Sequence, residues 1–242
     1  MRFRVTLAVH RRANGGYILP YDYQHAVASM FYDRLIRADS SFKDLHDQVG
    51  FKFFTFSQLE IPRRRSLPEG LQILSNDAYL WFSSVEPKMV RVLAGQLLRE
   101  PDVVIRGVKL RAVRVDLLPS VSFDGGTASF VTMSPVLLRT KRDTDDGIKT
   151  WDLSPEEKEF EDALTRNLVR KFKEFHGRPP SGEISVESIP RFRRKRIMIQ
   201  DTSHRAYLMD IQLRGDPELL SFAYDCGLGE KNSMGFGMVR RG

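Results

Sequence analysis

Apolar spacing along the chain spells the same order of elements twice: strand, helix, strand, strand, helix, strand. Few architectures accommodate that doubled order. In the first half Phe3, Val5, Leu7 and Val9 alternate with Arg2, Arg4, Thr6 and His10, the period of two that buries one face of a strand. After the Asn14-Gly15-Gly16 turn and Pro20, Asp22 is placed to cap a helix carrying Val27, Phe31 and Leu35 and running to about Ala38. Phe51 to Leu59 and Ala78 to Ser83 are aromatic-rich, and Pro62, Pro68 and Gly70 separate them, so two strands with a long hairpin connection are expected. Pro87 suits the first turn of a helix with Met89, Val90, Leu93 and Leu97 on its apolar stripe, ending before Pro101. Val103 to Leu118 is strand-like again.

Past Pro119 to Gly126 the order repeats. Phe130, Thr132 and Met133 lie in a strand-like run, and Ser154-Pro155-Glu156-Glu157 reads as a capping box for a helix with Phe160, Leu164, Leu168, Phe172 and Phe175. Gly177, Pro179 and Pro180 end that helix. Ile184 to Ile199 and Arg205 to Leu213 read as strands joined near Asp201-Thr202-Ser203; Asp216-Pro217 opens a short helix through Tyr224, and a last strand follows Gly235. The expected class is α+β, with two tandem ferredoxin-like (RRM-like) βαββαβ domains over 1–122 and 123–242 and a carboxyl-terminal glycine-rich loop. No short-period sequence repeat is present, so the duplication is one of pattern.

Composition narrows the function classes. The 242 residues are enough to bury a core without staples, and a single cysteine, Cys226, allows neither an internal disulfide nor a cysteine zinc site. No run approaches the roughly twenty apolar residues of a membrane span, and the first ten residues alternate charge with apolar side chains, unlike a signal peptide. A soluble protein in a reducing, cytoplasmic setting, with no membrane partner, is expected. Lys and Arg number 38 against 31 Asp and Glu, a formal charge of +7 that favours nucleic acid over an acidic protein or a bare membrane surface.

The stretch Gly227 to Gly237 (GLGEKNSMGFG) holds Gly227, Gly229, Gly235 and Gly237 around Lys231. Glycines let backbone approach a ligand closely, but both nucleotide-loop readings fail: the third glycine spacing is missing, and Gly235 is not followed by Lys and Ser or Thr. A helix cap plus a tight turn is the competing structural reading. Arg191, Arg193, Arg194, Lys195 and Arg196 cluster around Phe192 inside the expected hairpin, with further cations at Arg63 to Arg65, Arg240 and Arg241. Phosphate contacts with an interleaved aromatic point to RNA, against plain solvation of a charged face.

His46 follows the first helix, Lys52 lies six residues on, and Tyr32 sits on that helix off the Val27-Phe31 stripe. An imidazole, a phenol and an ammonium converging on one phosphate would suffice for RNA cleavage without a metal; the alternative is a polar loop histidine and a core-edge tyrosine. Asp143, Asp145 and Asp146 beside Gly147 suggest a calcium loop only faintly, since Ser154 stands where the closing glutamate belongs, and a solvated loop is expected. No histidine and carboxylate spacing suits a two-metal nuclease and no G-x-S-x-G elbow is present, so neither metal nor cofactor is expected.

Over essentially its whole length the chain resembles the CRISPR-associated endoribonucleases of the RAMP superfamily, which cut precursor CRISPR RNA within its repeats. The most specific element is Gly227 to Gly237 with Lys231 inside it; Leu19-Pro20-Tyr21, Leu45-His46, Phe53 to Ser57 and Phe130 to Pro135 match as well. The resemblance implies the two ferredoxin-like domains and an active site on Tyr32, His46 and Lys52. His46 would be general base or acid, Tyr32 its counterpart or a positioning group, and Lys52 the stabiliser of the pentavalent phosphate. Products would be a 2',3'-cyclic phosphate (or 3'-phosphate) and a 5'-hydroxyl, made without metal. The glycine loop and the basic hairpin would line an RNA cleft between the domains. The implied partner is CRISPR repeat RNA, precursor and processed; other subunits of an interference complex and a second copy of the chain are further partners to consider. Some members bind repeats without cutting, so a non-cleaving repeat-binding subunit is the principal alternative. A housekeeping RNA-binding module is disfavoured because the glycine loop and the His46 region match together.

Overall fold

The computed structural model describes residues 1–10, 16–45, 50–145 and 147–242; the Asn14-Gly15 pair of the expected first turn, His46 and Asp146 lie outside them. The first half runs β1 (Arg2–Val9), β2 (Ile18–Leu19), α1 (Gln24–Ala38), a 3-10 turn (Ser40–Leu45), β3 (Phe54–Phe56), β4 (Arg64–Leu67), β5 (Gly70–Ile73), β6 (Asp77–Ser84), α2 (Pro87–Arg99), β7 (Asp102–Ile105) and β8 (Val108–Leu118). The second runs β9 (Thr127–Thr132), β10 (Arg139–Thr144), β11 (Gly147–Asp152), α3 (Glu159–His176), β12 (Ile184–Ile199), β13 (Thr202–Gly215), α4 (Pro217–Cys226), a 3-10 turn (Asn232–Met234) and β14 (Val239–Arg241).

Two antiparallel sheets carry this mixed α+β structure. Their strand orders are β3-β6-β1-β8-β7 and β12-β13-β9-β14. If β1, β3, β6 and β8 are counted as the four principal strands of the first half, both sheets have the order second, third, first, fourth. In each half one helix follows the first of these strands and another follows the third. Smaller sheets, β2-β5-β4 and β10-β11, are set into the connections.

Each large sheet buries one face under its helices. Phe3, Val5 and Leu7 of β1 meet Phe31 and Leu35 of α1 and Val90, Leu93 and Leu97 of α2, and the Phe82 ring packs on Phe3, Phe31 and Phe54 with centroids 5.1 to 5.5 Å apart. In the second half Tyr207, Met209, Ile211 and Leu213, alternate residues of β13, pack on Phe160, Leu164, Leu168 and Phe172 of α3 and Leu219, Leu220 and Ala223 of α4. That alternation turns Leu208, Asp210 and Gln212 to the opposite face, away from α3 and α4.

Four expectations are corrected. Asp22 caps nothing: α1 begins at Gln24 without a side-chain cap, and the Asp22 carboxylate is 2.8 Å from Arg106 instead. The run Val103 to Leu118 is broken by a turn at Arg106-Gly107, both at positive φ (48° and 79°), which folds β7 back on β8. Glu157 does reach back to the Ser154 N–H (2.9 Å), but this closes a separate turn before α3, which starts at Glu159. Asp143 of the expected solvated loop lies instead on β10 of a hairpin, while Asp145 is an exposed turn residue. Asp216, by contrast, caps α4 as expected, accepting from the Glu218 and Leu219 N–H groups.

Candidate active site and RNA-binding surface

Of the expected catalytic trio, Tyr32 is placed by α1. It is 5% exposed, so it lies inside the core margin with Val27 and Phe31 rather than on the flank of α1. Its ring meets Phe54 edge to face at 5.4 Å, and its hydroxyl is hydrogen-bonded with the Ser233 side chain. Burial raises the phenol above its ordinary value and the Ser233 bond opposes that rise, so the group is protonated at neutral pH.

Lys52 lies between two anchored aromatics. The Phe53 ring packs on Phe175 of α3 at 5.0 Å, Phe51 lies under Arg170, and the Phe51 N–H donates to Glu174 at 3.0 Å. The lysine is thereby fixed at the seam between the halves, two residues from the Phe54 ring that Tyr32 touches. His46 lies outside the described residues; Leu45, just before it, packs against the first core. Among the described residues no three His, Cys, Asp or Glu side chains cluster as metal ligands.

The glycine-rich loop crosses the same seam and is gripped from several sides. Lys171 of α3, 1% exposed, points its ammonium at the Gly227 carbonyl (2.5 Å), the Gly229 carbonyl (3.1 Å) and the Asn232 side-chain oxygen (3.0 Å). An ammonium has three donors, and three acceptors receive them. Burial pulls the Lys171 pKa down, with the Cys226 thiol beside it acting in the opposite sense. The Asn232 amide in turn donates to the Leu228 and Phe236 carbonyls, both at 3.0 Å. From the first half, Gln24 donates to the Met234 and Gly235 carbonyls and Thr55 to the Phe236 carbonyl. Gly235 and Gly237 have φ of 80° and 73°. A Cβ at Gly235 would enter the Phe56 ring, and one at Gly237 the Leu228 carbonyl.

Composition and spacing gave no notice of this grip. Its one visible signal is Lys171 itself, a lysine three residues after Leu168 on the buried stripe of α3, which also holds Asn167. Lys231, also left-handed at φ 52°, is half-buried; burial lowers its pKa first, then the neighbouring Arg139 charge, while Glu230 and Asp152 pull it back up.

The basic cluster lies on β12, which forms an edge of its sheet. Period two divides it: Arg191, Arg193 and Lys195 share one face, opposite Asp210, Leu208 and Ala206, whereas Arg194 and Arg196 point to the other. On the first face lies a concavity of about 520 Å³ bordered by Arg191, Arg193, Leu208, Asp210 and Val131. Arg191 is bonded to Asp210 at 2.7 Å and Arg196 to Ser203 at 2.8 Å. The Lys195 pKa is lowered by burial first, then by Arg193 and by Arg64 of β4. Cations separated by about 130 residues in sequence therefore share one electrostatic surface.

Two family models divide the chain between them: CRISPR-associated protein Cas6, N-terminal, over residues 18–115, and CRISPR-associated protein Cas6, C-terminal, over 118–241. The chain belongs to the Cas6 family. A relative from Methanocaldococcus jannaschii, named CRISPR-associated endoribonuclease Cas6 1, is 33% identical over 99% of this chain and 93% of its own length. Among solved structures, a Cas6-related protein from Pyrococcus furiosus superimposes with a TM-score of 0.91 at 26% identity, covering 100% of this chain and 98% of that one. A structure described as a RAMP protein binding different RNA substrates gives 0.89 at 28% identity, covering 100% and 99%. The resemblance read from the residues is thus a Cas6 membership that spans both halves.

Proposed function

We propose that this Cas6-family chain is an endoribonuclease that cuts precursor CRISPR RNA within its repeats, without a metal. The ribose 2'-oxygen beside the scissile phosphate attacks phosphorus as its proton is removed, the bond to the 5'-oxygen breaks, and that oxygen is protonated as it leaves. The products are a 2',3'-cyclic phosphate and a 5'-hydroxyl. His46 and Tyr32 carry the proton transfers and Lys52 stabilises the extra charge on phosphorus. The observation that carries this reading is the meeting of the buried Tyr32 phenol, the Lys52 segment and the glycine-rich loop at one seam, in a chain whose relatives are named CRISPR-associated endoribonucleases. The protonated Tyr32 phenol has a proton to give a leaving oxygen, and the Ser233 hydrogen bond opposes the rise in pKa that burial imposes.

The matching strand orders and the two family matches support reading the halves as tandem ferredoxin-like domains, 1–122 and 123–242. The repeat RNA would follow the β12-β13 face bearing Arg193 and Lys195, with Arg64 of β4 adding its charge beside them and Lys231 and the glycine loop at the seam. The Arg194 and Arg196 face would contribute less.

The test is cleavage of end-labelled repeat RNA in excess EDTA by wild type and His46→Ala, with a second substrate carrying one 2'-deoxy at the cut. Cutting at one site that is lost with either change is the expected result. Tight binding with no cutting would instead make the protein a repeat-binding subunit and return His46 to an ordinary loop residue.

A further inference from the structure

The glycine-rich loop presents Ser233 to Tyr32 from a position fixed by three elements. Asn232, the preceding residue, is held by Lys171 of α3 and bridges the Leu228 and Phe236 carbonyls. The two following carbonyls, of Met234 and Gly235, are held by Gln24 of α1, the helix that also carries Tyr32. Phe236 is tied to Thr55, next to the Phe54 ring that Tyr32 packs against. Ser233 is 8% exposed, so little water competes for its hydroxyl. These bonds hold the backbone on both sides of Ser233 against α1, where its side chain is hydrogen-bonded with the Tyr32 hydroxyl, and a hydroxyl held in place is what a proton-transfer step can use.

From this geometry we infer that Ser233 is a positioning residue for the cutting step, donating its hydroxyl proton to the Tyr32 oxygen while Tyr32 gives its own proton to the leaving 5'-oxygen. The inference rests on the nuclease reading above and commits it to Tyr32 as the acid. The protons balance: the phenol O–H bond breaks, the 5'-oxygen gains that proton, and Ser233 keeps its own while its hydrogen bond shortens against the nascent phenolate. A bond that strengthens as charge develops lowers the barrier without tightening RNA binding. The loop therefore serves the chemistry through a polar residue that is neither glycine nor cation.

The experiment is a double-mutant cycle of Ser233→Ala and Tyr32→Phe, read as the single-turnover cleavage rate at saturating repeat RNA, with RNA affinity measured alongside. Ser233→Ala should slow cleavage about ten- to hundredfold at unchanged affinity, the loss expected for one hydrogen bond to a group acquiring charge. In the Tyr32→Phe background it should slow cleavage no further. Equal slowing in both backgrounds would mean a structural role and overturn the inference. Ser233→Thr keeps the hydroxyl and should cut near the wild-type rate; a Thr variant as slow as Ala, with an unchanged melting temperature, would also overturn it. A readout independent of cleavage is the ultraviolet tyrosine titration: Ser233→Ala should move the Tyr32 ionisation, identified by difference against Tyr32→Phe, to higher pH. A wild-type protein that never cuts sinks the nuclease reading and this role with it, while the titration still reports whether the hydrogen bond exists.

Discussion

The glycine-rich loop and the β12 strand were both expected to hold RNA, yet their surroundings are opposites. In the loop, carbonyl after carbonyl is occupied by a donor from elsewhere in the fold, and the two side chains that brace it, Lys171 and Asn232, are themselves saturated. On β12 the cations stand on an exposed sheet edge, and the pairs drawn there, Arg191 with Asp210 and Arg196 with Ser203, are at the surface. Two sequence motifs read for the same ligand thus divide into one that builds the seam and one that faces outward from it. What a ligand meets in the loop is a rigid edge; on β12 it meets charge.

That contrast can be broken most directly at Gly237. Gly237→Ala drives a methyl into the Leu228 carbonyl at a left-handed φ, so it should cost about 4 kcal/mol or more, or abolish the cooperative urea transition. A variant that unfolds like wild type would show that the loop is not built in. Lys171→Met leaves the Gly227 and Gly229 carbonyls and the Asn232 oxygen without their donor, and a loss of about 3 kcal/mol in urea denaturation is expected. A loss under about 1 kcal/mol would take Lys171 out of the seam.

A yardstick for an interior bond away from the loop is Tyr23, whose oxygen accepts the buried Leu59 N–H at 3.1 Å. Tyr23→Phe should cost about 1 to 2 kcal/mol at neutral pH. Burial pushes the Tyr23 phenol up to about 12 from its ordinary 10, so the folded state resists its ionisation. This stabilising contribution is complete below pH 10 and is lost as pH rises from 10 through about 12. Urea midpoints above pH 10 should accordingly fall more steeply for wild type than for Tyr23→Phe; parallel curves would contradict the assignment.

On the outward-facing side the effects should be small for stability and confined to binding. Arg193→Ala and Lys195→Ala should each leave the urea midpoint within about 0.5 kcal/mol, weaken repeat-RNA binding, and reduce the slope of log affinity against log salt by about one for each phosphate left unneutralised. The smallest change is expected from Arg191→Ala, because Asp210 already neutralises part of that charge. If Arg191→Ala outweighs Arg193→Ala in salt slope, the ion pair opens on binding and the ranking by partners fails.

What the sequence disclosed, and what it hid, follows the locality of the signals. The Asp216-Pro217 start of α4 and the span of β12 were legible because cap, proline and turn chemistry act over a few residues. The β10-β11 hairpin was not, since Arg139 to Thr144 and Gly147 to Asp152 carry hardly any apolar side chains and hence no period to read. Arg106-Gly107 hid inside a run of strand formers, where only Gly107 marked the turn. At the candidate site the residue types and spacing raised Tyr32 and Lys52 only beside a bland alternative, and the family resemblance is what singles them out. The burial of Tyr32, its Ser233 partner and the lysine that braces the loop depend on segments far apart in sequence, which no local pattern encodes. The same limit applies to Arg64 beside Lys195.

One further feature bears on how such a chain comes into being. Arg2, 2% exposed, sends its guanidinium through the seam to the carbonyls of Tyr224 and Val239 and lies flat on the Tyr224 ring at 3.4 Å. On a ribosome, this first residue of β1 is made long before either partner. Until the last strand emerges, the cation must stay in water, and the end of β1 that carries it stays open. The first half can gather its helices and most of its sheet while still tethered, but the seam, and with it the bracket around the glycine loop, closes only when β14 is out. Any site assembled there would be withheld from a nascent chain and present only once both ends of the fold have met.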